Sequence, residues 1–87
     1  MYSTYILKSE RCKRYYYGHT GNLIVRLKQH NAGRVRSTKG YRPWTVLYVE
    51  DYHTKSEAYN REMFFKSISG YRYLRENKII PEEWQSG

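Results

Sequence analysis

The chain has 87 residues, enough for one small domain with a single hydrophobic core and too few for two. Cys12 is the only cysteine and no segment has the ~20 apolar residues of a membrane helix, so disulfides, cysteine-based zinc sites and a membrane span are excluded, and we expect a soluble, cytoplasmic protein. A formal net charge of +8 and eleven tyrosines are typical of a protein that binds a polyanion.

The N-terminal part of the chain predicts a β-hairpin. Residues 2–8 are rich in aromatic and β-branched residues and predict a strand. The polar residues 9–13 predict a turn, and residues 14–18 predict a second strand that pairs back on the first, with Gly18 freeing the backbone to bend. This hairpin would present Tyr5 and Tyr16 on one face.

A helix and a loop are predicted next. Thr20 and Asn22 are both suitable N-caps for a helix that runs to about Asn31, and Gly33 suits the position just past its end. The apolar stripe of this helix consists of Leu23, Leu27 and Ile24. Residues 34–43 contain basic residues and glycine with almost nothing to bury, which predicts a mobile loop.

The second half of the chain predicts one strand and two helices. The continuous apolar centre of residues 45–50 indicates a strand that is buried on both faces. Residues 54–57 form a capping box, which predicts a helix to about Ser67. Ser69 and Gly70 are predicted to break it, and residues 71–77 predict a last helix.

The order strand, strand, helix, strand, helix, helix predicts an α+β fold with a small three-stranded antiparallel or mixed sheet flanked by helices. One domain would cover residues 1–80, and residues 81–87 would form a loose tail.

The positive charge is concentrated in residues 1–44, which contain ten Lys and Arg residues against one acid. Residues 45–87 have a net charge of −1. This asymmetry favours a nucleic acid that approaches the first half of the chain, and tyrosine interleaved with arginine is also suited to stacking on unpaired bases. The alternative interpretation is a basic surface that only keeps the protein soluble.

Four side chains of the first half could handle a phosphodiester. Tyr5 and Tyr16 would lie side by side, but a phenol with its usual pKa of ~10 becomes a base only where a cation or metal stabilises the phenolate. Arg26 and His30 lie one helical turn apart and could provide that setting. The competing interpretations are core tyrosines and a solvated helix face.

Glu62 falls on the apolar side of the second predicted helix, where carboxylates rarely occur without a partner. It is either a structural ion-pair partner of Arg61 or Lys66, or a ligand for Mg²⁺. The pattern alone does not separate the two.

Several motifs in order resemble the small single-domain members of the GIY-YIG nuclease family. Residues 3–5 stand at the first motif and residues 16–18 at the second. The resemblance continues through residues 26–33, Pro43-Trp44, Leu47-Tyr48 and 57–62, and it covers about residues 2–68. Ser3, Thr4 and Tyr17 replace residues of the two motifs, whereas both catalytic tyrosines are present.

The resemblance implies an endonuclease that hydrolyses phosphodiester bonds in DNA with Mg²⁺ or Mn²⁺. By position, Tyr16 would be the general base, and Tyr5 would support the water or phosphate. Arg26 would hold the scissile phosphate, His30 would assist proton transfer or orient the nucleophile, and Glu62 would bind the metal. We expect nucleic-acid contacts from the following basic residues: His19, Arg34, Arg36, Lys39 and Arg42.

Three functions compete. The leading one is the endonuclease, and its many tyrosines favour single-stranded or branched DNA over an intact duplex. The others are a nucleic-acid-binding module that does not cut and a basic protein-interaction domain. The sequence does not separate DNA from RNA, and it does not set the oligomeric state.

Overall fold

A computed structural model of the protein describes residues 1–81. It contains a three-stranded sheet and three α-helices in the predicted order, so the predicted α+β fold is confirmed. The elements are β1 (Tyr2–Ser9), β2 (Tyr15–Thr20), α1 (Leu23–Asn31), β3 (Trp44–Tyr52), α2 (Lys55–Phe65) and α3 (Ile68–Glu76), with a short 3₁₀ helix at Lys39–Tyr41. The predicted tail lies outside the described residues from residue 82 onward.

The sheet has the order β2-β1-β3, and both pairs of neighbouring strands are antiparallel. In the β1–β2 register, Tyr5 lies opposite Gly18 and Leu7 lies opposite Tyr16. Because side chains alternate along a strand, Tyr5 and Tyr16 project from the same face of the sheet. The predicted shared tyrosine face is therefore confirmed.

The prediction that the third strand is buried on both faces is wrong. Strand β3 lies at the edge of the sheet, and Val46, Leu47 and Val49 are 37–41% exposed. The central strand is β1, in which residues 4–7 are buried. An irregularity in the β1–β3 register between Ile6 and Leu7 adds one residue to β3. A run of apolar residues therefore marks an edge strand here.

The sheet separates two apolar clusters. On one face, Tyr5, Leu7 and Trp44 pack with the half-buried Leu23 and Leu27 of α1. The cluster on the other face is formed by β1, α2, α3 and the segment after α3, with Ile6, Phe65, Leu74 and Ile80 as its buried members. Ile24 was expected in the α1 stripe, but it is 71% exposed because it points away from the sheet.

The ends of α1 follow the predicted capping pattern. The Asn22 side chain accepts a hydrogen bond from the Val25 backbone N–H at 3.1 Å, so Asn22 is the N-cap. Thr20 instead closes the preceding turn, because its hydroxyl accepts from the Asn22 N–H. Gly33 follows the helix with φ +79, a conformation that favours glycine.

Helix α2 begins with the predicted capping box, in which Thr54 and Glu57 exchange hydrogen bonds. The prediction that Gly70 breaks a helix is wrong, because α3 begins at Ile68 with Ser67 as its N-cap and includes Gly70. A Cβ atom at Gly70 would lie 1.7 Å from the carbonyl oxygen of Phe64. Glycine at this position lets the start of α3 contact the end of α2.

The segment between α1 and β3 was expected to bury almost nothing, and this is also wrong. Thr38 is 1% exposed, and its carbonyl oxygen accepts a hydrogen bond from the Trp44 indole N–H at 2.9 Å. The Tyr41 carbonyl accepts from the Ser9 hydroxyl at 2.7 Å. These contacts attach the segment to the tyrosine face.

No helix within residues 1–81 is long and apolar enough to cross a membrane.

Candidate active site

Two phenols lie at the centre of the candidate site. The rings of Tyr5 and Tyr16 have their centroids 6.3 Å apart. A Cβ atom at Gly18 would lie 2.5 Å from the Tyr5 hydroxyl oxygen and 3.0 Å from the Tyr16 ring. Gly18 was expected to bend the chain, but it lies within β2 and leaves the space that the Tyr5 hydroxyl occupies. Tyr5 is 1% exposed, whereas Tyr16 is half-buried.

Arg26 connects the two phenols. Its guanidinium lies next to the hydroxyl groups of Tyr5 and Tyr16 and donates a hydrogen bond to Gln29 Oε1 at 3.0 Å. Burial alone would lower the pKa of Arg26, but the two phenols outweigh that effect and the pKa is raised. Within residues 1–81, no carboxylate lies within ion-pair distance of Arg26. Its charge is therefore available to an anionic ligand.

Burial determines the protonation of Tyr5 and His30. Burial raises the pKa of Tyr5 to about 12, against the opposing effect of Arg26, so Tyr5 is a neutral phenol at pH 7. Burial, together with the charge of Arg26, lowers the pKa of His30 to about 4, so its imidazole is neutral. His30 Nε2 lies 3.0 Å from the Tyr5 hydroxyl, and His30 Nδ1 lies 2.8 Å from Thr38 Oγ1.

Glu62 comes to the site from α2. It is 8% exposed, and its Oε1 accepts a hydrogen bond from His19 Nδ1 at 2.6 Å. Its Oε2 pairs with Lys66 Nζ at 2.5 Å, so Lys66 is its ion-pair partner and Arg61 is not. The charge of Glu62 also contributes to the raised pKa of Tyr5, after the larger effects of burial, Arg26 and Tyr16.

An open pocket of about 390 Å³ lies beside these groups. Its lining includes His19 and Thr20 at the end of β2, Arg26 and Gln29 from α1, and Lys55 at the start of α2. Arg26 and Lys55 are cationic, and no carboxylate belongs to the lining. The pocket therefore favours an anionic group next to Arg26. Tyr5, Tyr16 and Glu62 do not belong to the lining, and Glu62 is connected to it through His19.

The predicted nucleic-acid contacts have different surroundings. His19 lines the pocket, but its Nδ1 is held by Glu62 and its ring contacts Tyr59 edge to face. The Arg42 guanidinium lies over Gly33, and its Nε donates to the Lys39 carbonyl at 2.8 Å. The basic segment between α1 and β3 contributes four exposed side chains: Arg34, Arg36, Lys39 and Arg42.

The residues present suit a divalent ion whose remaining coordination positions a substrate phosphate and water would fill. Within residues 1–81, no group of three or more His, Cys, Asp or Glu side chains could hold a metal. Glu62 offers one carboxylate, and its partner Lys66 is half-exposed on a flexible side chain. Mg²⁺ typically takes one or two carboxylates, with water and substrate phosphate filling its other positions. This donor set therefore suits Mg²⁺ or Mn²⁺ bound together with a phosphate.

Sequence analysis did not predict a role at this site for three residues, Thr38, Gln29 and Lys55. Thr38 is a single threonine in a basic segment, and its contact with His30 depends on how that segment folds. Gln29 and Lys55 occupy ordinary polar helix positions and reach the pocket only through the packing of α1 and α2. Only the spacing of Gln29, three residues after Arg26 on one helix face, could have indicated a contact.

Comparison with known proteins agrees with this geometry. The sequence pattern of the GIY-YIG catalytic domain matches residues 1–79. The UPF0213 protein lmo0166 of Listeria monocytogenes is 40% identical over 83 residues, which is 94% of this chain and 89% of that protein. The UPF0213 protein YazA of Bacillus subtilis is 37% identical over 78 residues, covering 83% of this chain and 79% of that protein.

A solved structure has the same fold. The solution NMR structure of the UPF0213 protein BH0048 from Bacillus halodurans superposes with a TM-score of 0.53 at 28% identity, covering 95% of this chain and 92% of that one. The domain match extends over nearly all of the described residues and includes both phenols, Arg26, His30 and Glu62. The chain therefore belongs to the GIY-YIG nuclease domain family.

Proposed function

We propose that this protein is a divalent-metal-dependent endonuclease that hydrolyses phosphodiester bonds in DNA. GIY-YIG nucleases act on nucleic acids, and the chain belongs to that family. The observation that carries the proposal is the setting of Arg26. It contacts two phenols, lies beyond ion-pair distance of every carboxylate in residues 1–81, and lines an open pocket near Glu62.

Arg26 would bind the scissile phosphate in this pocket. A guanidinium can donate two parallel hydrogen bonds to phosphate oxygens, and it becomes more stabilising as negative charge accumulates on those oxygens. Lys55 lines the same pocket and would hold a neighbouring phosphate. This arrangement would orient the phosphorus atom toward the phenols.

Tyr16 would be the general base. It is half-buried and can therefore reach a bound water, whereas Tyr5 is 1% exposed. The Arg26 guanidinium lies next to the Tyr16 hydroxyl and would contact the oxygen of the base. In the reacting state Tyr16 would be a phenolate that has lost its proton to solvent. The water proton would pass to this phenolate, the water oxygen would bond to phosphorus, and the leaving oxygen would depart and take a proton from solvent.

Tyr5 and His30 would act by positioning. Both are buried and neutral, and they are joined by a 3.0 Å hydrogen bond. Tyr5 is 1% exposed and lies next to Arg26, so it would fix the direction of the guanidinium. His30 would in turn fix Tyr5, and we assign it no direct contact with the phosphate.

Glu62 would hold Mg²⁺ or Mn²⁺, with Lys66 moving away from the carboxylate. A bound divalent ion neutralises charge on the phosphate and stabilises the leaving oxygen. His19 would keep the carboxylate oriented through the contact at Oε1.

The exposed basic segment, Arg34 to Arg42, would bind the DNA backbone beyond the pocket. Such contacts do not read sequence, so selectivity would come from the form of the substrate. The surplus of tyrosine favours single-stranded or branched DNA.

A cleavage assay tests the proposal. The purified chain is incubated with labelled single-stranded, duplex and branched DNA, and with an RNA of the same sequence, in Mg²⁺, Mn²⁺ or EDTA. We expect cutting of DNA with either metal and none in EDTA. Absence of cutting with both metals at several salt concentrations would overturn the enzyme proposal.

The alternative is a nucleic-acid-binding module that does not cut, and the net charge of +8 favours it independently of the site. Retained DNA binding without cleavage in the same assay would support this alternative. Binding to an acidic protein that survives substitution of Arg26 and Tyr16 would instead indicate a protein-interaction domain.

A further inference from the structure

We propose that Thr38 is a positioning residue that fixes the tautomer of His30 and thereby orients Tyr5 and Arg26 toward the substrate. The proposal rests on the nuclease function proposed above. Its basis is a line of polar contacts from the basic segment to the guanidinium, in which the Thr38–His30 and His30–Tyr5 hydrogen bonds are buried. That line runs through Val35, Thr38, His30, Tyr5 and Arg26.

The direction of each hydrogen bond follows from the donors available. Arginine can only donate, so the Arg26 guanidinium next to Tyr5 offers no acceptor for the Tyr5 proton. Thr38 Oγ1 lies 3.3 Å from the Val35 carbonyl, which can only accept, so the Thr38 proton points there. Thr38 therefore accepts from His30 Nδ1–H at 2.8 Å.

The neutral ring of His30 carries one proton, so its Nε2 must accept when Nδ1 donates. Nε2 lies 3.0 Å from the Tyr5 hydroxyl and takes the Tyr5 proton. Every polar hydrogen in the line then has an acceptor, and the remaining lone pairs of Tyr5 face Arg26.

The opposite tautomer leaves a buried donor without an acceptor. If His30 carried its proton on Nε2, the Tyr5 oxygen would receive a hydrogen bond from His30 and would have the donors of Arg26 beside it. Within residues 1–81, the Tyr5 hydroxyl forms no hydrogen bond with any other acceptor that could take its proton. Since Tyr5 is 1% exposed, the unsatisfied donor would be costly.

The Thr38 hydroxyl can be removed without releasing the segment. The Thr38 carbonyl is held separately by the Trp44 indole at 2.9 Å, and its N–H bonds to the Val35 carbonyl at 3.1 Å. Valine has nearly the shape of threonine but cannot accept from His30. Thr38→Val therefore removes one acceptor, whereas Thr38→Ser keeps it.

The tautomer can be measured without any substrate. Long-range ¹H–¹⁵N correlation spectra of the imidazoles at pH 7 should show His30 protonated on Nδ1, with His19 and His53 as internal references. A wild-type His30 protonated on Nε2 would overturn the proposal. A wild-type chain that cuts no DNA would defeat the proposed function, while this spectrum would still decide the assignment of Thr38.

Activity provides the second readout. Thr38→Val should change the His30 spectrum and lower kcat by roughly 100-fold, since small misplacements of catalytic groups have effects of that order, with KM little changed. Thr38→Ser should restore both the spectrum and kcat. Thr45→Val is the matched control, because it removes an exposed threonine hydroxyl that contacts Glu10.

Near-normal kcat in Thr38→Val, or a Thr38→Ser variant as impaired as Thr38→Val, would contradict the assignment. If Thr38→Val does not fold, the wild-type His30 spectrum and the kcat of Thr38→Ser test whether Thr38 is a positioning residue.

Discussion

The chain contains two clusters of the same composition, each with two tyrosines, one arginine and one glutamate. The members of the first, which we call the site cluster, are Tyr5, Tyr16, Arg26 and Glu62. The second, which we call the closed cluster, lies between β3 and α2 and consists of Tyr48, Tyr52, Glu50 and Arg61. The two clusters differ in the partners of their arginine and glutamate, and this difference distinguishes a structural network from a candidate catalytic one.

In the closed cluster all donors converge on one carboxylate. Glu50 accepts from Arg61 Nε at 2.8 Å, from the Tyr48 hydroxyl at 2.5 Å and from the Tyr52 hydroxyl at 2.6 Å. Burial alone would raise the pKa of Glu50, but these hydrogen bonds outweigh it and the pKa is lowered. The Arg61 guanidinium also lies 4.9 Å from the centre of the Tyr73 ring. Its charge is thus neutralised within the fold.

In the site cluster the arginine and the glutamate have different partners. Arg26 binds the phenols, whereas Glu62 is held by His19 and Lys66. Arg26 and Glu62 therefore do not neutralise each other. In the proposed function, Arg26 would bind the phosphate and Glu62 would bind its metal. Composition does not distinguish the two clusters, but the pairing of their charges does.

The largest effect on activity is expected from Glu62→Ala. Loss of the metal ligand should reduce cleavage by on the order of 10³-fold or more, because metal stabilisation of the transition state amounts to several kcal/mol. DNA affinity should be retained, since the basic surface is intact. The matched control is Glu50→Ala, which should lower the melting temperature but preserve cleavage while the protein is folded. Equal loss of cleavage in both variants would contradict the claim that only the site cluster takes part in cleavage.

Arg26→Ala should reduce cleavage by about 10²- to 10³-fold, as removal of a preorganised donor to a charged transition state does in other enzymes. DNA affinity should also fall, because one phosphate contact is lost. Single-turnover cleavage and binding titrations measure both effects. Arg61→Ala is the control. It leaves Glu50 without its cation and should reduce stability, whereas its cleavage rate should remain near that of wild type.

Tyr16→Phe should reduce cleavage by about 10²-fold, in the range that general bases contribute. The ring is kept, so its contact with His30 and the stability should change little. Tyr48→Phe, which removes a phenol from the closed cluster, should cleave normally. A Tyr16→Phe variant with near-normal cleavage would exclude the general-base role.

The last prediction concerns stability rather than cleavage, and it is an effect of pH. The pKa of His30 is about 4 in the folded protein against its ordinary value of 6.5, so the unfolded chain binds more protons between these values. His30 therefore makes its full contribution to the free energy of unfolding above pH 6.5. This contribution, about 3 kcal/mol in total, is lost as the pH falls toward 4.

Urea unfolding across this pH range measures the effect of His30. His30→Gln should remove that part of the slope, whereas substitution of the exposed His53 should leave it. An unchanged slope in His30→Gln would show that the pKa of His30 is not lowered.

Local patterns in the sequence predicted the parts of the fold that depend on neighbouring residues. Alternation along β1 and β2 placed Tyr5 and Tyr16 on one face, and the Thr54–Glu57 capping box located the start of α2. The i, i+4 spacing of Arg26 and His30 correctly put both on one side of α1, although burial of His30 exceeded what a helix pattern indicates.

The features that sequence analysis missed depend on contacts between distant segments. Gly70 had the pattern of a helix breaker, but the close approach of α3 to Phe64 explains its presence. The apolar run in β3 resembled a central strand, whereas the strand order places it at an edge. Thr38 acquires its contact with His30 only when the basic segment folds back over α1.

Paramagnetic broadening tests most directly whether Glu62 and Arg26 share one metal-assisted phosphate site. Mn²⁺ is added to ¹⁵N-labelled protein bound to a short DNA with non-hydrolysable phosphate linkages, and the amide and side-chain signals are followed. Broadening should centre on Glu62, extend to His19 and the Arg26 guanidinium, and vanish in Glu62→Ala. Broadening that centres instead on Glu50 and Asp51, or that persists unchanged in Glu62→Ala, would contradict a shared site.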